Sequence, residues 1–107
     1  MSGSFGDMGN LLKQAQEMQR KLDRVREELK GERLVGSGGG GVVRVEVDGD
    51  GEVQAVHVDE QVARSGDASM IEDLVLAAVR DAMTQATRLR KERLGAVTGG
   101  LNLPGLF

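Results

Sequence analysis

The sequence predicts a small α+β domain: a long N-terminal helix, a small three-stranded antiparallel sheet and a long C-terminal helix. The prediction rests on two amphipathic helical segments that flank a valine-rich region in which apolar and polar residues alternate. Composition shows no break along the 107 residues that would separate two domains. Residues 1–107 are therefore expected to form a single domain.

The N-terminal helix is predicted from the spacing of apolar residues between Met8 and about Lys30. Successive apolar positions are three and four residues apart in alternation, which is typical of a coiled-coil seam. The members of this seam are Met8, Leu11, Ala15, Met18, Leu22, Val25 and Leu29. Gly31 supplies a stop signal, and residues 1–7 are expected to form a flexible N-terminus.

The sheet is predicted from a valine pattern with a period of two residues, typical of a strand with one wet face. The alternating residues are Val43, Arg44, Val45, Glu46, Val47 and Asp48. The turn D-G-D-G leads into a return strand at about residues 52–59, whose uneven alternation predicts a bulge near the turn. Residues 32–35 are expected to add a short third strand.

The C-terminal helix is predicted to follow a polar loop over residues 59–68. Ser69 and Glu72 have the spacing of a capping box, so the helix should begin near Met70, and Gly95 should end it. Its first half contains L-V-L-A-A-V, which is apolar on all sides and needs cover on all sides. This apolar segment therefore predicts a contact with a second subunit, through Leu74, Val75, Leu76 and Val79.

The predicted lengths indicate that both helices extend past the sheet. Strands of this size span some 20 Å, whereas each helix reaches about 34 Å, so roughly a third of each helix overhangs. The seam of the first helix and the later stripe of the second are expected to pair as a projecting arm. The expected assembly is a homodimer with projecting helical arms.

Residues 95–107 form a glycine-rich, apolar tail. The last ten residues, T-G-G-L-N-L-P-G-L-F, place Leu101, Leu103, Leu106 and Phe107 on a segment that cannot form a regular helix or strand. We expect these side chains to lie over the body, where burial of each contributes roughly 1.5–3 kcal/mol. The alternative is a docking peptide for another protein.

Charge is distributed unevenly along a chain whose net charge is −3. Nine acids against two arginines give residues 44–73 a charge of −7, whereas five bases against two acids give residues 80–93 a charge of +3. Residues 1–33 hold seven bases and six acids, or +1. Basic helices on either side of an acidic middle favour nucleic-acid contact through the helices, although such charges can also simply solvate exposed faces.

The sequence offers no catalytic, metal or cofactor site. Gly36, Gly38 and Gly41 match G-x-G-x-x-G, but they precede a strand instead of opening a helix, so we interpret them as a flexible lead into the hairpin. The D-G-D-G segment has Val53 where a calcium loop requires glycine, and His57 is a lone imidazole. We expect neither enzymatic activity nor a cofactor. Cysteine, a signal peptide and a membrane span are also missing, so a cytoplasmic location is expected.

Basic side chains on the two predicted arms are the candidate DNA contacts. They would bind the phosphates of a duplex, because the absence of Trp and Tyr leaves no platform for stacking single-stranded bases. The candidates are Arg20, Lys21, Arg24, Arg88, Arg90, Lys91 and Arg93.

Four segments, in this order, resemble the YbaB/EbfC family of bacterial nucleoid-associated proteins. They are L-L-K-Q-A-Q-E-M-Q-R-K-L, V-G-S-G-G-G-G-V-V-R-V, I-E-D-L-V-L-A-A-V-R-D-A and T-G-G-L-N-L-P-G-L-F. The resemblance covers nearly the whole chain. It implies a dimeric α+β body with tweezer-like arms that bind double-stranded DNA in the nucleoid. The alternative is a protein-interaction dimer that acts with replication or repair proteins.

Overall fold

The computed structural model describes the backbone of residues 2–99 and the side chains of residues 7–99. It confirms the predicted α+β class: one long helix precedes an antiparallel sheet in the chain and a second long helix follows it. The predicted tail residues 101–107 lie outside this description. The elements are α1 (Ser2–Lys30), β1 (Leu34–Gly38), β2 (Val43–Val47), β3 (Val53–Val58), α2 (Glu60–Ala63) and α3 (Ala68–Val97).

The core lies between one face of the sheet and α3. The three strands are ordered β1-β2-β3 and both pairs are antiparallel. The valines of β2 that the period-two pattern places on one face are all fully buried against small residues of α3, whose alanines let the helix approach closely. The fully buried cluster consists of Val43, Val45, Val47, Ala78, Ala82 and Ala86.

The β2–β3 hairpin contains the predicted bulge, which falls between Glu46 and Val47. The prediction that Asp48 lies on the wet face is wrong, since its side chain is only 3% exposed. Its carboxylate accepts hydrogen bonds from the backbone N–H groups of Asp50 at 2.9 Å and Glu52 at 3.0 Å. Asp48 thus closes the turn by satisfying backbone donors that the bulge leaves without strand partners.

Glycines of β1 set how closely the sheet approaches α3. Strand β1, which the sequence predicts over residues 32–35, begins at Leu34 and continues to Gly38. Gly36 and Gly38 therefore belong to a strand and not to a flexible lead into the hairpin. A Cβ on Gly36 would lie 2.2 Å from the carbonyl oxygen of Ala78, and one on Gly38 would lie 2.3 Å from that of Leu74. Only glycine allows this separation.

Side chains of α3 also occupy the outer edge of β1. The carboxylate of Asp81 accepts a hydrogen bond from the N–H of Ser37 at 2.9 Å, and the amide of Gln85 donates to the carbonyl of Val35 at 2.8 Å. These contacts satisfy backbone groups that an edge strand would otherwise leave unpaired. The helix therefore fixes β1 both by packing and by hydrogen bonds.

Helix boundaries differ from the predictions in ways that local hydrogen bonds explain. The N-cap of α3 is Asp67, whose carboxylate accepts from the N–H of Met70 at 3.0 Å, so Ser69 is not the cap. Gly95 does not end α3, which continues to Val97, because nothing in its surroundings interrupts the helical bonding. The predicted loop contains the one-turn helix α2.

The first helix is longer than predicted and contacts α3. It begins at Ser2 rather than Met8, and thus covers most of the segment that the sequence predicts to be a flexible terminus. Within α1, Leu22 and Leu29 are buried. The carbonyl of Leu29 accepts from the N–H of Gly49 at 2.7 Å, so the end of α1 sits on the β2–β3 turn.

The molecule is elongated, with extents of 77 × 21 × 16 Å. At about 1.5 Å per residue, α1 and α3 placed end to end would span about 88 Å. They therefore overlap by about 11 Å, or roughly seven residues each. The predicted projecting helices are present, but α1 and α3 lie side by side only over this short overlap.

Candidate nucleic-acid interface

Two of the predicted cations on α1, Arg20 and Arg24, form an exposed stripe together with Lys13. Residues four and seven apart lie on one face of a helix. Leu22 is two residues from Arg20 and from Arg24, or about 200° around the helix, so the stripe faces away from the buried side of α1. Lys21 is exposed at its flank.

The predicted cations of α3 divide into two groups. Arg88 and Lys91 are exposed and share one face. With Thr84, Thr87 and Met83 they line, within the described residues, a groove of about 450 Å³. The hydroxyl of Thr84 donates to the carbonyl of Arg80 at 2.8 Å. A groove that offers two cations and the hydroxyl of Thr87 suits a phosphate, because both residue types donate hydrogen bonds to anionic oxygens.

Arg90 and Arg93 are half-buried and bind within the chain. The guanidinium of Arg90 donates to the carbonyl of Asp50 at 3.3 Å, which joins α3 to the β2–β3 turn. The guanidinium of Arg93 pairs with the carboxylate of Glu32 at 3.0 Å, which joins α3 to the segment between α1 and β1. Arg90 therefore faces solvent less freely than Arg88, because the β2–β3 turn lies beside α3 at this position.

Other cations near the end of α1 are paired with acids on the same helix. Arg26 contacts Asp23 at 3.3 Å and Lys30 contacts Glu27 at 3.1 Å. The hydrogen bond to Glu27, followed by the charge of that carboxylate, raises the pKa of Lys30 above its usual value. These pairs lower the net positive charge of the last turns of α1. The exposed stripe accordingly lies toward the N-terminal part of the helix.

Sequence reasoning missed two cations that share these faces. Lys13 lies seven residues before Arg20, and Arg80 lies eleven residues before Lys91, and both are exposed. A helical wheel drawn for each segment would have found them, because seven and eleven residues are close to two and three full turns. The prediction grouped bases by local density and so omitted isolated ones.

Metal-ligand clusters and membrane-spanning helices are both missing from the part of the chain that the structure describes. No group of three His, Cys, Asp or Glu side chains within residues 7–99 could hold a metal. His57 is exposed on β3, with Nε2 2.8 Å from a carboxylate oxygen of Glu46. Within the same range, no helix is long and apolar enough to cross a membrane.

Residues 5–101 match the YbaB/EbfC DNA-binding family. The chain belongs to this family. The match extends over both long helices and the sheet, so it includes every predicted DNA contact. The resemblance stated from the sequence is thereby confirmed.

Individual relatives agree with this assignment. The chain is 39% identical to nucleoid-associated protein DP1429 of Desulfotalea psychrophila over 100 residues, or 94% of each chain. It is 46% identical to nucleoid-associated protein MLBr02330 of Mycobacterium leprae over 96 residues, or 90% of this chain and 83% of the relative. The fold is similar to the crystal structure of the uncharacterized protein HP0035 from Helicobacter pylori, with a TM-score of 0.74 and 23% identity, over 89% of this chain and 97% of the other.

Proposed function

We propose that this YbaB/EbfC protein acts as a homodimer in the nucleoid, where its helical arms bind double-stranded DNA and organise or regulate the chromosome. The observation that carries the proposal is the set of exposed cations on the arms. Within the described residues, Arg20, Arg24, Arg88 and Lys91 are exposed and make no hydrogen bond or salt bridge to another side chain. They are available to bind phosphates.

Family membership supports DNA as the partner, and the relatives' names support a nucleoid location. The chemistry favours contact with the duplex backbone. Tryptophan and tyrosine are absent and the chain contains only two phenylalanines, so base stacking has few candidates, whereas the exposed arginines and lysines of the arms suit contact with phosphates. Backbone contacts fix position but carry little sequence information, and we expect modest sequence preference.

An uncovered apolar surface beside the core supports the homodimer. Val56 and Val58 pair with the buried Val45 and Val43, so their side chains point to the inner face of the sheet. Val56 is nonetheless 52% exposed, because α3 covers β1 and β2 but not β3. The neighbouring flank of α3 is also apolar and carries Leu76, which is 47% exposed.

A second copy of the chain suits this surface. Two-fold symmetry would bring Val56 and Val58 of β3 and Leu76 of α3 together with the same residues of the second protomer. Self-complementary interfaces are built in this way. Three of the four residues that predicted the second subunit, Leu74, Val75 and Val79, pack against the core of their own chain. The dimer is therefore proposed to form through β3 and the Leu76 side of α3.

The phosphate-binding proposal is tested by fluorescence anisotropy with a labelled duplex of mixed sequence over a range of salt concentrations. Each phosphate neutralised adds about 0.9 to the slope of log K against log salt. The variant Arg88→Gln/Lys91→Gln should weaken binding and reduce this slope, as should Arg20→Gln/Arg24→Gln. All four substituted residues lie on exposed faces. Both variants should therefore still sediment as dimers.

The matched control is Arg44→Gln/Arg64→Gln, which removes the same charge from the sheet region. Arg44 lies 3.6 Å from Asp59, and Arg64 pairs with Glu60, so neither is free to bind phosphate. This variant should bind nearly as well as the native chain. Equal loss in all three variants would show that total charge governs binding. Unchanged binding in both arm variants, with the dimer intact, would favour the protein-interaction alternative.

A further inference from the structure

The N-terminal part of the α1 seam is exposed, although it continues the pattern that is buried nearer the body. Met8 and Leu11 are 67% and 64% exposed, whereas Leu22 and Leu29 are 3% and 0% exposed. Leu12, adjacent to the seam, is 61% exposed. Contiguous apolar side chains on one face of a projecting helix indicate a binding surface.

The end of α3 lies beside α1 and points along this seam. Arg93 meets Glu32 just past the end of α1, so the following turns of α3 run back along α1 in the opposite direction. Leu94 and Thr98 are buried in these turns. The overlap of about 11 Å ends near residue 24 of α1, which leaves about 30 Å of that helix without α3 beside it.

Residues 100–107 have the length and composition to cover this remainder. An extended chain spans about 3.3 Å per residue, so nine residues beyond Thr98 reach up to about 30 Å. The distance along α1 from residue 24 to Met8 is about 24 Å. Four of these eight residues are Leu or Phe, and the segment carries no charged side chain. Gly99, with φ +66°, ends the helix and redirects the chain.

We propose that the C-terminal segment 100–107 of each chain binds along the exposed seam of its own α1. Extended pairing at about 3.3 Å per tail residue and about 1.5 Å per helix residue places Leu101 near Met18, Leu103 between Ala15 and Leu11, and Leu106 near Met8. The arm is then a helix with an apolar strap on one side and the Lys13–Arg24 cationic stripe on the other. This refines the expectation that the tail lies over the body, since the seam is an exposed apolar surface within its reach.

Disulfide trapping tests the proposal directly, because the native chain contains no cysteine. The variant Ala15→Cys/Leu103→Cys should form a disulfide within one chain under mild oxidation. The control Lys13→Cys/Leu103→Cys should not, because Lys13 is about 200° around α1 from Ala15 and a disulfide requires Cβ atoms within about 4.5 Å. Positions 13 and 15 are both exposed, so neither substitution disturbs packing within the described residues.

Non-reducing electrophoresis distinguishes the possible occupants of the seam. A single-chain band that migrates faster than the reduced chain and has lost its free thiols, from Ala15→Cys and not from Lys13→Cys, supports the proposal. A product with the mass of two chains shows that the strap comes from a second copy and overturns it. Equal yields at both positions, or no product, also overturn it.

Thermal unfolding supplies an independent readout that does not involve DNA. Deleting residues 101–107 should lower Tm in the native chain and in the Lys13→Gln control. The same deletion should have a smaller effect in Leu11→Gln, because that substitution already weakens the surface on which the tail binds. A deletion effect of equal size in all three backgrounds contradicts the proposal.

Discussion

Replacing Gly36 with alanine tests the close approach of β1 to α3 that organises the core. The new Cβ would lie 2.2 Å from the carbonyl oxygen of Ala78 and 2.3 Å from the backbone nitrogen of Ala82, whereas ordinary contact begins at 3.4 Å. Backbone atoms of a helix cannot rotate away as a side chain can. Strand and helix must therefore separate by about 1 Å, a gap that forfeits a quarter to a half of each dispersion contact across it.

The expected loss of stability follows from this displacement. Overpacking a core typically costs 1–3 kcal/mol, and we expect Gly36→Ala to reach about 3 kcal/mol because it displaces an entire strand. The same movement stretches the hydrogen bonds that Asp81 and Gln85 make with the outer edge of β1. For a domain near 100 residues, about 3 kcal/mol corresponds to a fall in Tm of roughly 12 °C or more.

Calorimetry or circular dichroism at one protein concentration measures this change, since the Tm of a dimer depends on concentration. Gly95→Ala is the matched control, because a Cβ there meets nothing within 4 Å and the residue lies inside α3. It should raise stability by about 0.5–1 kcal/mol through reduced backbone entropy in the unfolded chain. A Tm for Gly36→Ala within about 2 °C of the native value would refute the packing argument.

Three further substitutions test the turn, the subunit interface and the brace at the end of α3. Asp48→Ala should lower the free energy of unfolding by about 1–3 kcal/mol, because the N–H groups of Asp50 and Glu52 lose their acceptor, the buried carboxylate of Asp48; urea titration measures it, and a neutral result would contradict the proposed role. Val56→Asp should convert the dimer into monomers in sedimentation, since an isolated charge would be buried between subunits; an intact dimer would place the interface elsewhere. Arg93→Gln should cost no more than about 1 kcal/mol of stability by thermal unfolding, because its ion pair with Glu32 is partly exposed; a larger loss would show that this pair holds α1 to the body.

The sequence by itself determined the type of both long helices and of the β2–β3 hairpin, because their signals are local. The three-and-four spacing from Met8 to Leu29 specifies a helix, and the alternation from Val43 to Val47 specifies a strand with one buried face. The bulge was also readable, since Val53 breaks the alternation beside a glycine turn. Family resemblance and the cationic character of both helices came from the same linear patterns.

The tertiary structure decided which side chains meet, because such contacts join residues far apart in the chain. In the sequence, Gly36 resembles a loop residue. In the fold, α3 packs so closely against it that this strand position cannot carry a Cβ. Arg90 and Arg88 are equivalent in the sequence, but only Arg90 lies within reach of Asp50, at a separation of 40 residues. Whether a cation is free to bind phosphate depends on what packs beside it, and helical periodicity alone does not contain that information.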